Sequence, residues 1–293
     1  MKFVKESDEF KSAFEDHLDD GTKIKATVNI STGNNPPETV NAVIDFSGTG
    51  RQHDNDNLNA PEAVTRSAVL YVLRVLTNEA VPLNSGCLNP VDILIPSGTI
   101  LRPVYPAPVA SGNVETSQRI VDVLLGAFGV AAASQGTMNN LLFEAEGEHT
   151  YYETIAGGSG ATQGCPGASG VQVHMTNTRM TDPEILEYRH PGVRLEQFTL
   201  RRGSGGKGRF TGGDGVIREL TYLKPATVSI ISERRKYAPY GMKGGGPGHT
   251  GANFLRKNDG STIKLKHREV INTEAGESII IETPGGGGYG ANL

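Results

Sequence analysis

Residues 151–179, YYETIAGGSGATQGCPGASGVQVHMTNTR, crowd polar and glycine side chains into a stretch with little apolar material for a core. Shaped loops of this kind, carried on a rigid scaffold, are where binding and catalysis concentrate. Gly157, Gly158, Gly160, Gly164, Gly167 and Gly170 permit close approach of the backbone to a ligand or to another segment. His174, Thr176, Asn177, Thr178 and Arg179 follow as a run of donors and acceptors that could hold a carboxylate, an amide or a phosphate. Read as a strand, VQVHM puts Gln172 and His174 on the face opposite Val171 and Val173. Chemistry alone leaves two readings open here, a ligand site and a structural polar network.

Other chemistry-bearing residues have stronger structural readings. Asn139 and Asn140, after ASQGTM, and Arg234 with Arg235, after Ser232 and Glu233, read first as structural or surface polar groups and second as ligand contacts. Three glycine-rich stretches, GGSGATQGCPGASG, GSGGKGRFTGGDG and TPGGGGYG, offer backbone N–H groups. None contains the GK[ST] of a phosphate loop, and none opens a helix as a dinucleotide fingerprint must. No HxH, HxxxH or HEXXH spacing occurs, so the motifs specify no metal ligand set. His53 between Gln52 and Asp54, with Asp56 nearby, reads as an exposed polar turn before it reads as a cation site. A GxSxG elbow is absent, and Cys165 between Gly164 and Pro166 has no evident base.

Composition narrows the class. Net charge is −4, with acidic and basic residues mixed, which gives nucleic-acid binding no support. Two cysteines, Cys87 and Cys165, are too few for a disulfide framework, and a reducing cytoplasm is the expected compartment. The longest apolar run, 120–133, contains Asp122 and is too short to span a bilayer. MKFVKESDEF lacks the apolar core of a signal peptide. Glycine supplies 38 of 293 residues, in clusters rather than in a repeat, which implies loop architecture.

The elements that must position these groups follow from periodicity. Phe10, Phe14 and Leu18 share one face of a helix and suggest one ending at Gly21. KIKATVNI and TVNAVIDFSG alternate and read as an antiparallel pair. Helices are expected over 60–76, apolar around most of its circumference, and over 115–133. NNLLFEAEG, YYETIAG, GVQVHM, LEQFTL, GVIRELTYL, ATVSIISER, STIKLKHR and ESIIIET read as strands. TDPE at 181–184 is a capping box opening a short helix. The expectation is one α+β unit over 1–293, with buried helices in the N-terminal half packed against a largely antiparallel, glycine-loop-rich β portion.

GNVETSQRIVDVLLGAFG, ASQGTMNNLLF, YYETIAGGSGA, HMTNTRMTDPEILE, RRGSGGKGRFTGGDGVIREL, SERRKYAPYGMKGGGPG and ETPGGGGYG together, in this order, resemble the hydantoinase B/5-oxoprolinase family. The resemblance runs from the hairpin after Gly21 to Gly290 and matches the C-terminal part of the family's B module. It implies ATP-dependent opening of a small cyclic amide, most closely of the 5-oxoproline type, with N-methylhydantoin opening or acetone and acetophenone carboxylation as alternatives. It further implies an ATP-binding, hydantoinase A-like partner module that holds ATP with Mg, an N-terminal B segment that in the carboxylase relatives is associated with metal, and an oligomeric assembly. This chain by itself is expected to be inactive, or a non-catalytic scaffold for the ATP-binding module. On the resemblance, Arg179 is assigned to a substrate carboxylate or phosphate and His174 to proton transfer or orientation. Gly157, Gly158, Gly160, Thr176, Asn177, Thr178, Asn139 and Asn140 are assigned to substrate contacts.

Overall fold

The computed structural model describes residues 9–32, 40–77, 82 and 84–291. The chain divides into two compact units, Met1–Val130 and Ala131–Leu293.

Among its described residues the first unit has a four-stranded sheet and two α-helices. Strands β1 (Glu9–His17), β2 (Lys23–Thr32), β3 (Val40–Asp45) and β4 (Val91–Leu94) lie in that order, antiparallel except for the parallel β3–β4 pair. The expected N-terminal helix is therefore a strand. Spacings of four and eight are even, so Phe10, Phe14 and Leu18 share a face in a strand as well as in a helix. The alternating burial of β1 shows which period won. Phe10 stacks on Phe128 with centroids 6.2 Å apart, and Phe14 packs so close to Gly126 that a Cβ there would sit 2.7 Å from its ring.

Helix α1 (Glu62–Leu76) forms as expected after Pro61 but buries only the stripe Thr65, Ala68, Val69 and Val72. It is amphipathic rather than apolar all round. Helix α2 (Ser117–Phe128) follows a single π-type turn, Gly112–Thr116, and is buried along its whole length. It stops short of the expected residue 133 because Gly129 turns left-handed at φ 67° and ends the hydrogen-bond ladder. No helix among the described residues is long and apolar enough to cross a membrane.

The second unit holds two antiparallel sheets. One contains β11 (Thr262–Leu265), β10 (Ala252–Arg256), β13 (Ser278–Glu282), β8 (Gly215–Tyr222) and β7 (Val193–Arg201), in that order. The other contains β12 (Arg268–Thr273), β9 (Ala226–Ile231), β5 (Asn140–Ala145) and β6 (Tyr151–Thr154). A single apolar cluster takes Leu141, Phe143, Val228 and Ile230 from one sheet and Val216, Leu220, Ile279 and Ile281 from the other. The sheets thus pack face to face over one core. The fold is α+β, as expected. STIKLKHR, read as a single strand, instead breaks after Leu265, and the chain crosses to the other sheet as β12. Helix α3 (Pro183–Arg189) is present, with Asp182 at its N-cap and no side-chain capping hydrogen bond.

One buried ion pair bridges the sheets. Arg218 on β8 donates from Nε and Nη2 to the two carboxylate oxygens of Glu153 on β6, at 2.7 and 3.0 Å. Tyr151 donates its hydroxyl to the same carboxylate at 3.0 Å, and burial with the nearby Glu153 charge pushes the Tyr151 pKa up to about 12.

His190, just after α3, gives the unit a pH dependence. Its ring lies edge-on to Phe143 and Tyr151 at 5.4 and 5.1 Å, and Glu148 Oε2 is 3.8 Å from Nδ1. Burial holds its pKa below the usual histidine value, outweighing the Glu148 carboxylate, while His149 and Arg189 add to the depression. The unfolded chain therefore takes up a proton near pH ~6.5 that the folded chain refuses, so stability falls as pH drops below that value. Melting temperatures measured between pH 5 and 7 should rise with pH, and His190→Phe should flatten part of that slope. An unchanged slope in the variant would assign the dependence elsewhere.

Candidate functional site

The paired ends of β5 and β6 organise a polar cluster. Asn140 lies opposite Thr154 in the ladder. The Thr154 hydroxyl meets the Thr178 hydroxyl at 2.5 Å, and Gln172 Nε2 donates to the Thr154 carbonyl and hydroxyl at 3.0 and 3.1 Å. Asn140 donates from Nδ2 to the Tyr152 hydroxyl at 2.5 Å. Gln135 reaches the cluster from the segment before β5. Its N–H donates to the Gly158 carbonyl at 2.8 Å, and its Oε1 accepts from Asn139 Nδ2 at 2.7 Å. Folding thus brings Asn139, Asn140, Thr178 and Gly158 into one connected network with Gln135, Thr154 and Gln172, three residues that sequence reasoning did not single out.

Three amide atoms in this network are buried without a hydrogen-bond partner: Gln135 Nε2, a donor, and Asn140 Oδ1 and Gln172 Oε1, both acceptors. Buried polar atoms are nearly always paired, and an unpaired one costs about 1–3 kcal/mol. Nearby groups are fully used. Asn139, at φ 44°, donates to the Ile155 carbonyl at 3.3 Å and accepts from Arg235 Nη1 at 2.8 Å. A left-handed asparagine is tolerated where its side chain is locally bonded. Asn139 therefore acts as a keystone beneath the cluster.

Arg234 and Arg235 are not the surface pair expected. Arg234 is fully buried, at φ 63°. Arg235 spends its guanidinium on Asn139, on the Glu233 carbonyl and, from Nε and Nη2, on Asn253 Oδ1 at 3.2 and 2.8 Å. Asn253 donates in turn to Ser232 Oγ at 3.2 Å. Arg235, half-buried, braces the cluster through Asn139, and Arg234 is withdrawn from solvent with its Nη1 donating to the Ala238 carbonyl.

The run 172–179 is not a strand. Val171 makes one bridge to Gly157, and Val173 accepts from the Thr176 N–H at 3.0 Å, closing a turn with His174 at φ 49°. Alternation therefore does not set which way His174 faces. Asn177, Thr178 and Arg179 are exposed, and His174 and Thr176 are half-buried. Among the described residues Arg179 makes no hydrogen bond or ion pair, which leaves its guanidinium available to an anion.

The glycine stretches do something other than cradle phosphate. Gly157 and Gly158 donate their N–H groups to the carbonyls of Val171 and Pro284, both at 3.1 Å. Gly213 donates to Ser159, Gly286 to Gly213, and Gly206 to Gly286, at 2.8–2.9 Å. Segments distant in sequence thus interlock backbone against backbone, and these N–H groups are already used. A Cβ on Gly160 would lie 1.9 Å from the Ala132 carbonyl oxygen, and one on Gly212 would lie 2.0 Å from that of Gly286. Only glycine permits such approach. The seam sits directly behind the amide cluster: a Cβ on Gly157 would meet Gln135 Oε1 at 2.0 Å.

A two-unit α+β chain whose polar centre rests on interlocked glycine segments matches one family description along nearly its whole length. Residues 2–292 fit the model for hydantoinase B/oxoprolinase, and the chain belongs to that family. It is 52% identical over 283 residues to 5-oxoprolinase 1 of Arabidopsis thaliana and 50% identical over 277 residues to 5-oxoprolinase of Dictyostelium discoideum. Those alignments cover 95% and 94% of this chain but 21% of each relative, so the chain spans about a fifth of their length. The crystal structure of an ATP-dependent caprolactamase from Pseudomonas jessenii shares the fold, with a TM-score of 0.79 and 22% identity over 97% of this chain and 52% of that one.

Proposed function

We propose that this chain is the C-terminal part of the B module of an ATP-dependent cyclic-amide hydrolase of the 5-oxoprolinase type. The reaction is 5-oxoproline with ATP and water to glutamate, ADP and phosphate. The observation that carries this reading is 52% identity to a relative named 5-oxoprolinase 1 across 95% of the chain. ATP with Mg is held by a hydantoinase A-like partner module, and any metal of the carboxylase type belongs to the N-terminal B segment. The assembly is oligomeric and works in the reducing cytoplasm, in keeping with the free thiols of Cys87 and Cys165.

The chemistry asks for what the cluster offers. A lactam resists water because of amide resonance; phosphorylating its oxygen on the ATP-binding module removes that resonance, so that water adds to the ring carbon. The C–N bond then breaks with the nitrogen leaving as the amine, and a second water hydrolyses the acyl phosphate to carboxylate and phosphate. The B module must then hold a small anion, orient the ring and keep stray water out. A lactam presents one N–H donor and one carbonyl acceptor. Asn140 Oδ1 and Gln172 Oε1 would accept from the former and Gln135 Nε2 would donate to the latter once the cluster opens to the ring, because all three atoms are closed to solvent in this structure. Arg179 takes the substrate carboxylate or a phosphate, and His174 orients or transfers a proton. Gly157, Gly158 and Gly160 contribute by holding Gln135 and the seam in place, and Thr176, Asn177 and Thr178 line the approach.

A coupled assay of ADP release tests the reading. The assembled enzyme containing this chain is challenged in separate reactions with 5-oxoproline, N-methylhydantoin and acetone plus bicarbonate. ADP release should depend on 5-oxoproline. Release that depends on one of the other two instead would reassign the substrate.

A further inference from the structure

We propose that Asp20, His53 and Asp56 form a binding site for a first-row divalent cation of the zinc type in the first unit. The three residues come from two segments, the turn between β1 and β2 and the loop after β3. One ligand atom from each lies within 4.8 Å of the others. Asp20 Oδ2 stands 3.3 Å from His53 Nε2. That is long for a charge-assisted N–H···O bond, which runs about 2.7–2.9 Å. It equals the roughly 3.3–3.5 Å edge between two ligands of one tetrahedral ion with metal–ligand bonds near 2.0–2.2 Å.

The surroundings hold these groups in place. Asp20 uses Oδ1 to accept the Thr22 N–H at 2.7 Å, which fixes the carboxylate and leaves Oδ2 towards the imidazole. Asn59, fully buried, clamps the 53–56 loop. Its Oδ1 accepts the His53 N–H at 2.8 Å, and its Nδ2 donates to the carbonyls of His53, Asp56 and Pro108 at 2.8, 3.3 and 2.7 Å. These bonds fix the backbone from which the His53 and Asp56 side chains leave. The Thr22 hydroxyl hydrogen-bonds His53 Nε2 at 3.0 Å, and the ion would take that nitrogen in its place.

One imidazole nitrogen and two carboxylate oxygens favour Zn2+ or Co2+ over Ca2+, which prefers six to eight oxygens. With three protein ligands, the remaining positions fall to solvent. The ion would staple the β1–β2 turn to the loop after β3, within a single unit.

Co2+ titration of the chain reads the site directly. Visible absorption of a four- or five-coordinate ion should appear, saturate at an ion per chain, and be displaced by Zn2+ but not by equimolar Ca2+. Asp20→Asn, His53→Gln and Asp56→Asn should each weaken Co2+ binding by at least about tenfold, with far-ultraviolet circular dichroism unchanged. Zn2+ should raise the melting temperature of the wild type and not of the variants. If one variant fails to fold, the other two carry the comparison. No Co2+ absorption in the wild type, or equal binding by wild type and folded variants, would overturn the proposal.

Discussion

Gly286→Ala should abolish or severely weaken folding of the second unit, while Gly147→Ala should be mild. A Cβ at residue 286 would stand 1.9 Å from the Ser159 carbonyl oxygen, 2.3 Å from its carbon and 2.8 Å from the Gly160 nitrogen. Every atom it meets is backbone, so no side chain can swing aside. Nor can the segments ease apart cheaply, because Gly286 donates to Gly213 and Gly213 donates to Ser159. Relief means breaking several buried hydrogen bonds at about 1–3 kcal/mol each. A loss above about 4 kcal/mol is a large share of the roughly 5–15 kcal/mol that holds a domain folded. Gly147, at φ 77°, has nothing within 4 Å of its Cβ position, so alanine there meets only the left-handed penalty of about 1–2 kcal/mol. Thermal melts of the two variants should differ by about 10 °C or more. Near-equal melting temperatures would show that the glycine seam has slack that its geometry denies.

The second large effect is expected on turnover. In the assembled enzyme, Arg179→Ala should lower kcat/KM for 5-oxoproline by about 100-fold, the scale of losing a charge-assisted contact to a substrate anion. Arg179→Lys should recover only part, since an ammonium cannot reproduce the guanidinium fork. Because Arg179 is exposed and makes no hydrogen bond or ion pair among the described residues, stability should change little, which separates this loss from misfolding. His174→Asn is the informative partner variant. Asparagine tolerates the left-handed φ of 49° but cannot shuttle a proton, so kcat should fall by about 100-fold with KM little altered. If both variants stay within about twofold of wild type, the 174–179 turn has no part in the chemistry.

Much of the fold was legible because burial writes itself into sequence locally. Alternation placed most strands of the second half, and Pro61 with Glu62 marked the start of α1. Legibility failed where one spacing serves two periods, as with Phe10, Phe14 and Leu18, or where the pattern is too short to set a face, as with VQVHM. It failed again for contacts between distant segments. Nothing near Gly158 announces that Pro284 will accept its N–H, and nothing near His53 announces Asp20.

The candidate site was legible in part for the same reason. The polar run 174–179 and Asn139–Asn140 stand out by composition, and folding joins them through Thr178, Thr154 and the Asn140 ladder position. Gln135, Thr154 and Gln172 were passed over because single amides and hydroxyls are common. Gln135 and Gln172 are distinguished by buried atoms left unpaired and Thr154 by its bonds to Thr178 and Gln172, and only the fold displays either. The glycines drew attention as ligand donors, yet the N–H groups of Gly157, Gly158, Gly167 and Gly170 go to backbone carbonyls.

The central claim is that this chain supplies one wall of a site where ATP cleavage is coupled to lactam opening. The most direct measurement follows ADP and glutamate together when the assembled enzyme, with wild-type or Arg179→Ala chain, is given 5-oxoproline. The account predicts equal amounts of ADP and glutamate from the wild type and a loss of glutamate formation in the variant. Wild-type rates of glutamate formation from the variant, or ADP release from the wild-type assembly with no glutamate formed, would contradict it.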